Sequence, residues 1–333
     1  AMTDGARSWA ERLGPIGIWS HDVERMPAAA AREFAQAIES CGFRALWLPE
    51  SLGSKEIFAH AGLILSATTR LIVASGIANI WARDPVAMAN GARALVDAYP
   101  ERFLLGLGVS HAPIVKTRGN AYARPVEHMR EYLVAMDAAP YVGPKVDAPR
   151  VLAALGPRML RLAGELADGV MPNWMDAKQL AWARERVAEG ARNAGRALER
   201  IVFAQYVRVS VDDDPALARR ALAKAALGYA LPPSGHRRGG HYRAAFERMG
   251  FAAELTRLET LRERGAGEDA LADACADEFL RACGAWGRPD DLAAQLRRLA
   301  VGLDIAIVRV VMARPGIAAA RLVVEACAPA RWS

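Results

Sequence analysis

Eight short apolar runs, separated by longer amphipathic stretches, leave this chain few folds to adopt. The runs occupy positions 16–19, 45–48, 71–77, 103–107, 151–154, 169–171, 201–211 and 305–311. Each is apolar at nearly every position, as a strand covered on both faces must be. The stretches at 27–41, 57–68, 85–98, 125–138, 157–167 and 176–194 read as helices. In the first of these, Phe34, Ala37, Ile38 and Cys41 recur at three- and four-residue spacing, and Gly42 supplies a C-terminal stop. This alternation predicts an α/β chain closed into a (β/α)8 TIM barrel, with a doubly wound open sheet as the alternative. A chain of 333 residues is a normal length for one such barrel, so a single domain over 1–333 is expected.

One interval breaks the spacing. Residues 212–304 are mostly helix-forming, and a helical insertion over about 214–285 is expected between strands seven and eight. The run Pro232-Pro233-Ser234-Gly235 interrupts it, followed by His236-Arg237-Arg238-Gly239-Gly240-His241. Such an insertion either covers the barrel or acts as a lid over its mouth.

Composition narrows the function. The formal charge of +6 arises from 43 basic and 37 acidic residues scattered along the chain, so a nucleic-acid partner is not expected. No apolar stretch is long enough to span a membrane, and residues 1–12 lack the apolar region of a signal peptide. Ala1-Met2 looks like a tag-cleavage remnant. Cys41, Cys275, Cys283 and Cys327 form no CxxC pair, so no metal site is expected and a reducing cytoplasm suits the chain.

In a barrel of this kind, chemistry sits at the C-terminal ends of the strands. Pro49-Glu50 follows the second run and places a carboxylate there, either in the site or as a salt-bridge partner. The third run ends in Ser75-Gly76-Ile77-Ala78-Asn79, where Gly76 suggests a bulge or a close backbone approach. The fourth ends in Gly106-Leu107-Gly108-Val109-Ser110-His111. Glycines there admit a flat ring against the backbone, and His111 can exchange a proton near neutral pH. After the fifth run, Gly156-Pro157-Arg158-Met159 opens a helix, whose free N–H groups and dipole suit a phosphate beside the Arg158 cation. An ordinary strand-to-helix turn reads the same way. No Walker loop and no GxGxxG after the first strand occurs. His60 and His128 fall inside helical stretches and read as structural.

Taken together, these segments resemble the luciferase-like monooxygenase family, in particular its F420-dependent branch. The match is carried by residues 45–50, by 74–85 (ASGIANIWARDP), by 99–111 (YPERFLLGLGVSH), by 153–159 and by 167–170, in the family's order and spacing. The resemblance is firm over 14–175 and looser beyond. It implies that a non-prolyl cis peptide at Gly76-Ile77, with Ala78 and Asn79, supports the central ring of the coenzyme. It also implies that Glu50 contacts the ring, that His111 lies beside its reactive carbon with Gly108, Val109 and Ser110 among the cofactor-binding residues, and that Gly156 to Met159 hold its phosphate. Two departures stand out. Glu50-Ser51 replaces the Asp-His common in F420 enzymes, and the following loop, 52–57, is unusual for that branch. His111 replaces the glutamate of the family's sugar-phosphate dehydrogenases, which disfavours that substrate.

The expected activity is hydride transfer between F420 and a small organic substrate, with His111 moving the accompanying proton and Glu50 positioning the ring. The alternatives are an FMN-dependent monooxygenase using oxygen and a non-catalytic flavin-binding barrel. Relatives commonly dimerise, so a homodimer is one expectation.

Overall fold

The computed structural model describes residues 9–231 and 241–332, so the expected break at 232–240 lies outside the described residues, as does the side chain of His241. Ten strands form in chain order: β1 (Ile16–Trp19), β2 (Ala45–Leu48), β3 (Ile72–Ser75), β4 (Ala78–Asn79), β5 (Phe103–Gly108), β6 (Arg150–Ala153), β7 (Gly169–Met171), β8 (Val202–Val211), β9 (Gly284–Gly287) and β10 (Ile305–Met312). All pairings are parallel, in the order β10-β1-β2-β3-β5-β6-β7-β8, and β8 pairs β10 to close the ring. The barrel is therefore the expected (β/α)8 architecture.

The third run behaves as two pieces. β3 stops at Ser75, the Gly76–Ile77 peptide is cis, and the chain resumes as β4 beside β5. Helices cover the outside, and their starts follow local chemistry. Pro85, Pro125, Pro157 and Pro215 each stand in a first turn, where the missing N–H costs nothing. The Asp84 and Asp214 side chains cap the helices that begin at Pro85 and Pro215. Gly42, at φ +91°, ends the helix Ala28–Ser40 where the sequence placed the stop.

Three apolar clusters result. The largest lies between barrel and helices. A second fills the barrel interior, including Trp19, Trp47, Ala74, Leu104, Ala204, Ile305 and Ile307. Those residues fix the alternation: even positions of β8 and odd positions of β10 point inward. The third belongs to the segment between β8 and β10. There Pro215–Ala230, Ala252–Glu263 and two shorter helices, Glu268–Ala274 and Asp277–Cys283, pack around Phe246, Leu258 and Phe279, with Trp174 of the barrel included. β9, which the sequence reading did not anticipate, ends that segment by pairing with residues 208–211 of β8.

Candidate active site

The end of β3 is held from several sides. The Gly76 carbonyl accepts hydrogen bonds from Trp19 Nε1 (2.9 Å) and Tyr206 Oη (2.7 Å), and the Gly76 N–H donates to Leu48 O (2.7 Å). Burial raises the pKa of Tyr206, which keeps its phenol a donor. Ser75 Oγ donates to Gly106 O (2.8 Å). A Cβ on Gly106 would stand 2.0 Å from Ser75 O, and one on Gly108 would stand 2.5 Å from Ile77 Cδ1. In the structure, then, these two glycines admit the β3 turn against β5. A flat ring approaching the backbone, the sequence-based reason for them, is not what their missing side chains make room for.

Glu50 lies just beyond β2 and its side chain is only 5 % exposed. One oxygen accepts the Asn79 N–H (2.7 Å) and Arg83 Nη1 (3.1 Å), and the other pairs with Arg83 Nη2. Arg83 also meets Glu56 (3.0 Å), and Tyr132 Oη donates to the Arg83 carbonyl (2.7 Å). Burial opposes the charge of Arg83, but its bonds to Glu50 outweigh that and raise its pKa. Of the two readings of Glu50, the salt-bridge one is realised, and in buried form. Both carboxylate oxygens brace β4 and the segment after it.

The following loop has its own anchor. Glu24, buried after β1, accepts from Ser51 Oγ (2.7 Å) and Ser51 N (3.2 Å) and contacts His21 Nδ1 (2.9 Å), while Lys55 Nζ donates to the Glu24 and Met26 carbonyls (2.8 and 2.6 Å). Burial would raise the Glu24 carboxyl, but the bonds from His21 and Ser51 prevail and hold it at about 2. Ser51 and Lys55, the departures from the family's pattern, are thus structural partners of Glu24.

At the end of β5, the Val109 carbonyl accepts Trp81 Nε1 (2.9 Å) and the Ser110 carbonyl accepts Tyr122 Oη (3.3 Å). Ser110 has φ +55°. His111 is exposed, caps no helix with its side chain, and makes no side-chain hydrogen bond to a described residue. Partial burial of its ring nevertheless lowers its pKa. His128 stacks on Trp81 (4.1 Å), and His60 is buried with its pKa pushed down to about 4 by burial, so both are structural.

Gly156 precedes the helix Pro157–Leu166 without a side-chain cap, and a Cβ there would meet nothing within 4 Å. The turn is open and its first N–H groups face no capping side chain, so the residues fit a phosphate. Arg158 is exposed and paired with Glu127, a partner that an arriving phosphate would have to displace. Met159 is buried in the main core.

Sequence reasoning missed residues on β8 and β10. Arg208 of β8 and Arg309 of β10 are register partners on the inward faces. Arg208 stacks on Trp174 (3.5 Å) and Arg309 on Trp19 (4.4 Å). The signal was available: Arg309 is embedded in an otherwise apolar run, and Arg208 in a mostly apolar one. Among the described residues, no group of side chains is arranged to hold a metal, and no helix is long and apolar enough to cross a membrane.

A closed parallel barrel with its polar groups gathered at the strand C-termini defines a TIM barrel whose candidate site lies at that mouth. The chain belongs to the luciferase-like monooxygenase family, whose pattern matches residues 13–303. It is 25% identical to the 5,10-methylenetetrahydromethanopterin reductase of Methanolobus tindarius, over 87% of this chain and 91% of that one. Its fold is similar to that of the coenzyme F420-dependent tetrahydromethanopterin reductase from Methanopyrus kandleri, with a TM-score of 0.76, 20% identity and 95% and 97% coverage. An F420-dependent secondary alcohol dehydrogenase is also similar, with a TM-score of 0.73, 18% identity and 96% and 99% coverage.

Proposed function

We propose that this protein is an F420-dependent oxidoreductase that exchanges a hydride with a small organic substrate at the barrel mouth. The observation that carries the reading is the braced β3 turn. Trp19 and Tyr206 hold the Gly76 carbonyl, and Glu50 holds the Asn79 N–H, which braces the backbone at the same end of the barrel as the open turn at Gly156. The relatives named for F420 support the choice of coenzyme. When bound, the deazaflavin supplies a carbon that gives or takes a hydride.

The chain's own residues orient and protonate. Gly76, Ile77, Ala78 and Asn79 would support the ring system, with Glu50 as the positioning residue behind them. Gly108, Val109 and Ser110 would border it, and Gly156 to Met159 would take the phosphate. His111 would carry the proton on a ring nitrogen, since no described residue hydrogen-bonds that ring. Fixing the reactants in this way supplies much of a rate enhancement.

The test is a fluorescence titration with F420 beside an identical one with FMN. Saturable F420 binding at much lower concentration is the expected result, and preference for FMN would move the protein to oxygen chemistry. His111→Ala should keep F420 affinity and lose roughly 10²-fold or more in turnover. The pH profile carries the sign. In substrate reduction His111 must be protonated, so the rate falls as pH rises through a pKa below the ordinary histidine value. In oxidation it must be neutral, and the rate rises through the same point. Full turnover by the alanine variant, with the pH limb unchanged, would remove His111 from the mechanism.

A further inference from the structure

The inward face of β8 carries an arginine where a barrel core should be neutral. Arg208 is 1 % exposed. Its Nη1 donates to Asn173 Oδ1 (2.7 Å) and the Tyr206 carbonyl (3.2 Å), but Nε and Nη2 are buried and make no well-formed hydrogen bond to a described residue, with the Tyr229 hydroxyl nearby. Arg309 stands beside it in register, so two guanidiniums share one side of the mouth, and Arg309 donates to Tyr229 Oη (2.9 Å). Neither forms an ion pair with a described carboxylate, and residues 232–240 contain no acidic side chain. Ser210, further along the same face, has a buried hydroxyl without a hydrogen bond to a described residue, as does the indole N–H of Trp174.

Such an arrangement costs free energy in the isolated protein. Buried charges are normally paired, and like charges in register repel. The indole faces of Trp174 and Trp19 attract the cations but carry no net charge to cancel them. Burial, with Arg309 adding to it, pushes Arg208 down to about 9. Burial raises the neighbouring Tyr229 phenol, but the two guanidiniums overcome that and leave its pKa lowered. Both shifts reflect two guanidiniums close together in a buried place. A planar guanidinium with free N–H donors matches an oxyanion, and the aromatic walls match a flat or apolar body attached to it.

We propose that Arg208 and Arg309 recognise the acid group of the substrate, which is therefore a small organic anion: a carboxylate, phosphate or sulfonate on an apolar body. This assignment rests on the coenzyme reading for the chemistry at the other end of the mouth. Arg208 and Arg309 would set specificity and orientation.

Tryptophan fluorescence of the whole protein with saturating F420 tests the assignment, because Trp174 and Trp19 lie under the two guanidiniums. The probes are benzoate, phenyl phosphate and benzenesulfonate, with neutral benzamide as the control. At least one anion should bind saturably and at least tenfold more tightly than benzamide. Arg208→Met and Arg309→Met should each weaken that binding tenfold or more while F420 affinity stays. Arg208→Met should also raise the melting temperature without ligand, since it removes an uncompensated charge. A lowered melting temperature with anion binding unchanged would make Arg208 structural and overturn the proposal, as would equal binding of anions and benzamide. Competition between the anion and F420 would assign the arginines to the coenzyme phosphate, and so also overturn it. Anion binding without any F420 binding would leave the anion site standing and sink the coenzyme reading alone.

Discussion

Gly106→Ala should cost about 3 kcal/mol of stability or more, at the upper end of what overpacking does. The added methyl would lie 2.0 Å from the Ser75 carbonyl oxygen, well inside contact distance. That obstacle is backbone, and it is tied in place, because Ser75 Oγ donates to the Gly106 carbonyl and Gly76 N–H to Leu48 O. Relief would require β3 and β5 to separate at the point where the turn leaves the barrel wall. Coenzyme binding should fall with stability. Gly156→Ala is the matched control, since nothing lies within 4 Å of its new methyl, and it should change stability by less than about 1 kcal/mol. Denaturation midpoints of the two variants check this, and near-equal midpoints would mean that β5 does not approach Ser75 so closely.

Glu50→Ala should destabilise by about 3 kcal/mol, because it leaves the half-buried Arg83 with Glu56, itself half-exposed, as its carboxylate partner and strips the Asn79 N–H of its acceptor. Removing one partner of a buried pair is the costly change, so the double variant Glu50→Met, Arg83→Met should recover much of the loss. The measurement also separates two roles for Glu50. If it braces the turn, stability and F420 affinity fall together. If its value lies in touching the ring, affinity falls while the denaturation midpoint stays, and the bracing role is wrong.

The barrel was legible because a strand buried on both faces must be apolar throughout, and eight runs met that demand. The cis peptide at Gly76-Ile77 and the carboxylate at Glu50 were legible through the family's pattern, since short spacings tie them to strand ends. What Glu50 does there was not, because its partners Asn79 and Arg83 are distant in sequence and no local rule pairs them. The same holds for Ser51 and Lys55, whose purpose lies in Glu24. Arg208 and Arg309 were passed over for another reason. Site residues in a barrel are expected just after each strand, whereas β8 and β10 run longer and carry polar residues within them. β9 escaped notice because four residues with two glycines form a strand only through a neighbour already in place.

That neighbour, β8, belongs to two cooperative units. Its residues 204–211 pair with β10 in the barrel wall, and its residues 208–211 pair on the other edge with β9, which closes the segment built on its own apolar core. Local opening of that segment would free one edge of β8 while the other stays held. The barrel can thus tolerate subglobal unfolding above it, whereas unfolding of the barrel must take the segment with it. Arg208 stands on the shared stretch, so its place in the wall survives the very fluctuation that would uncover it.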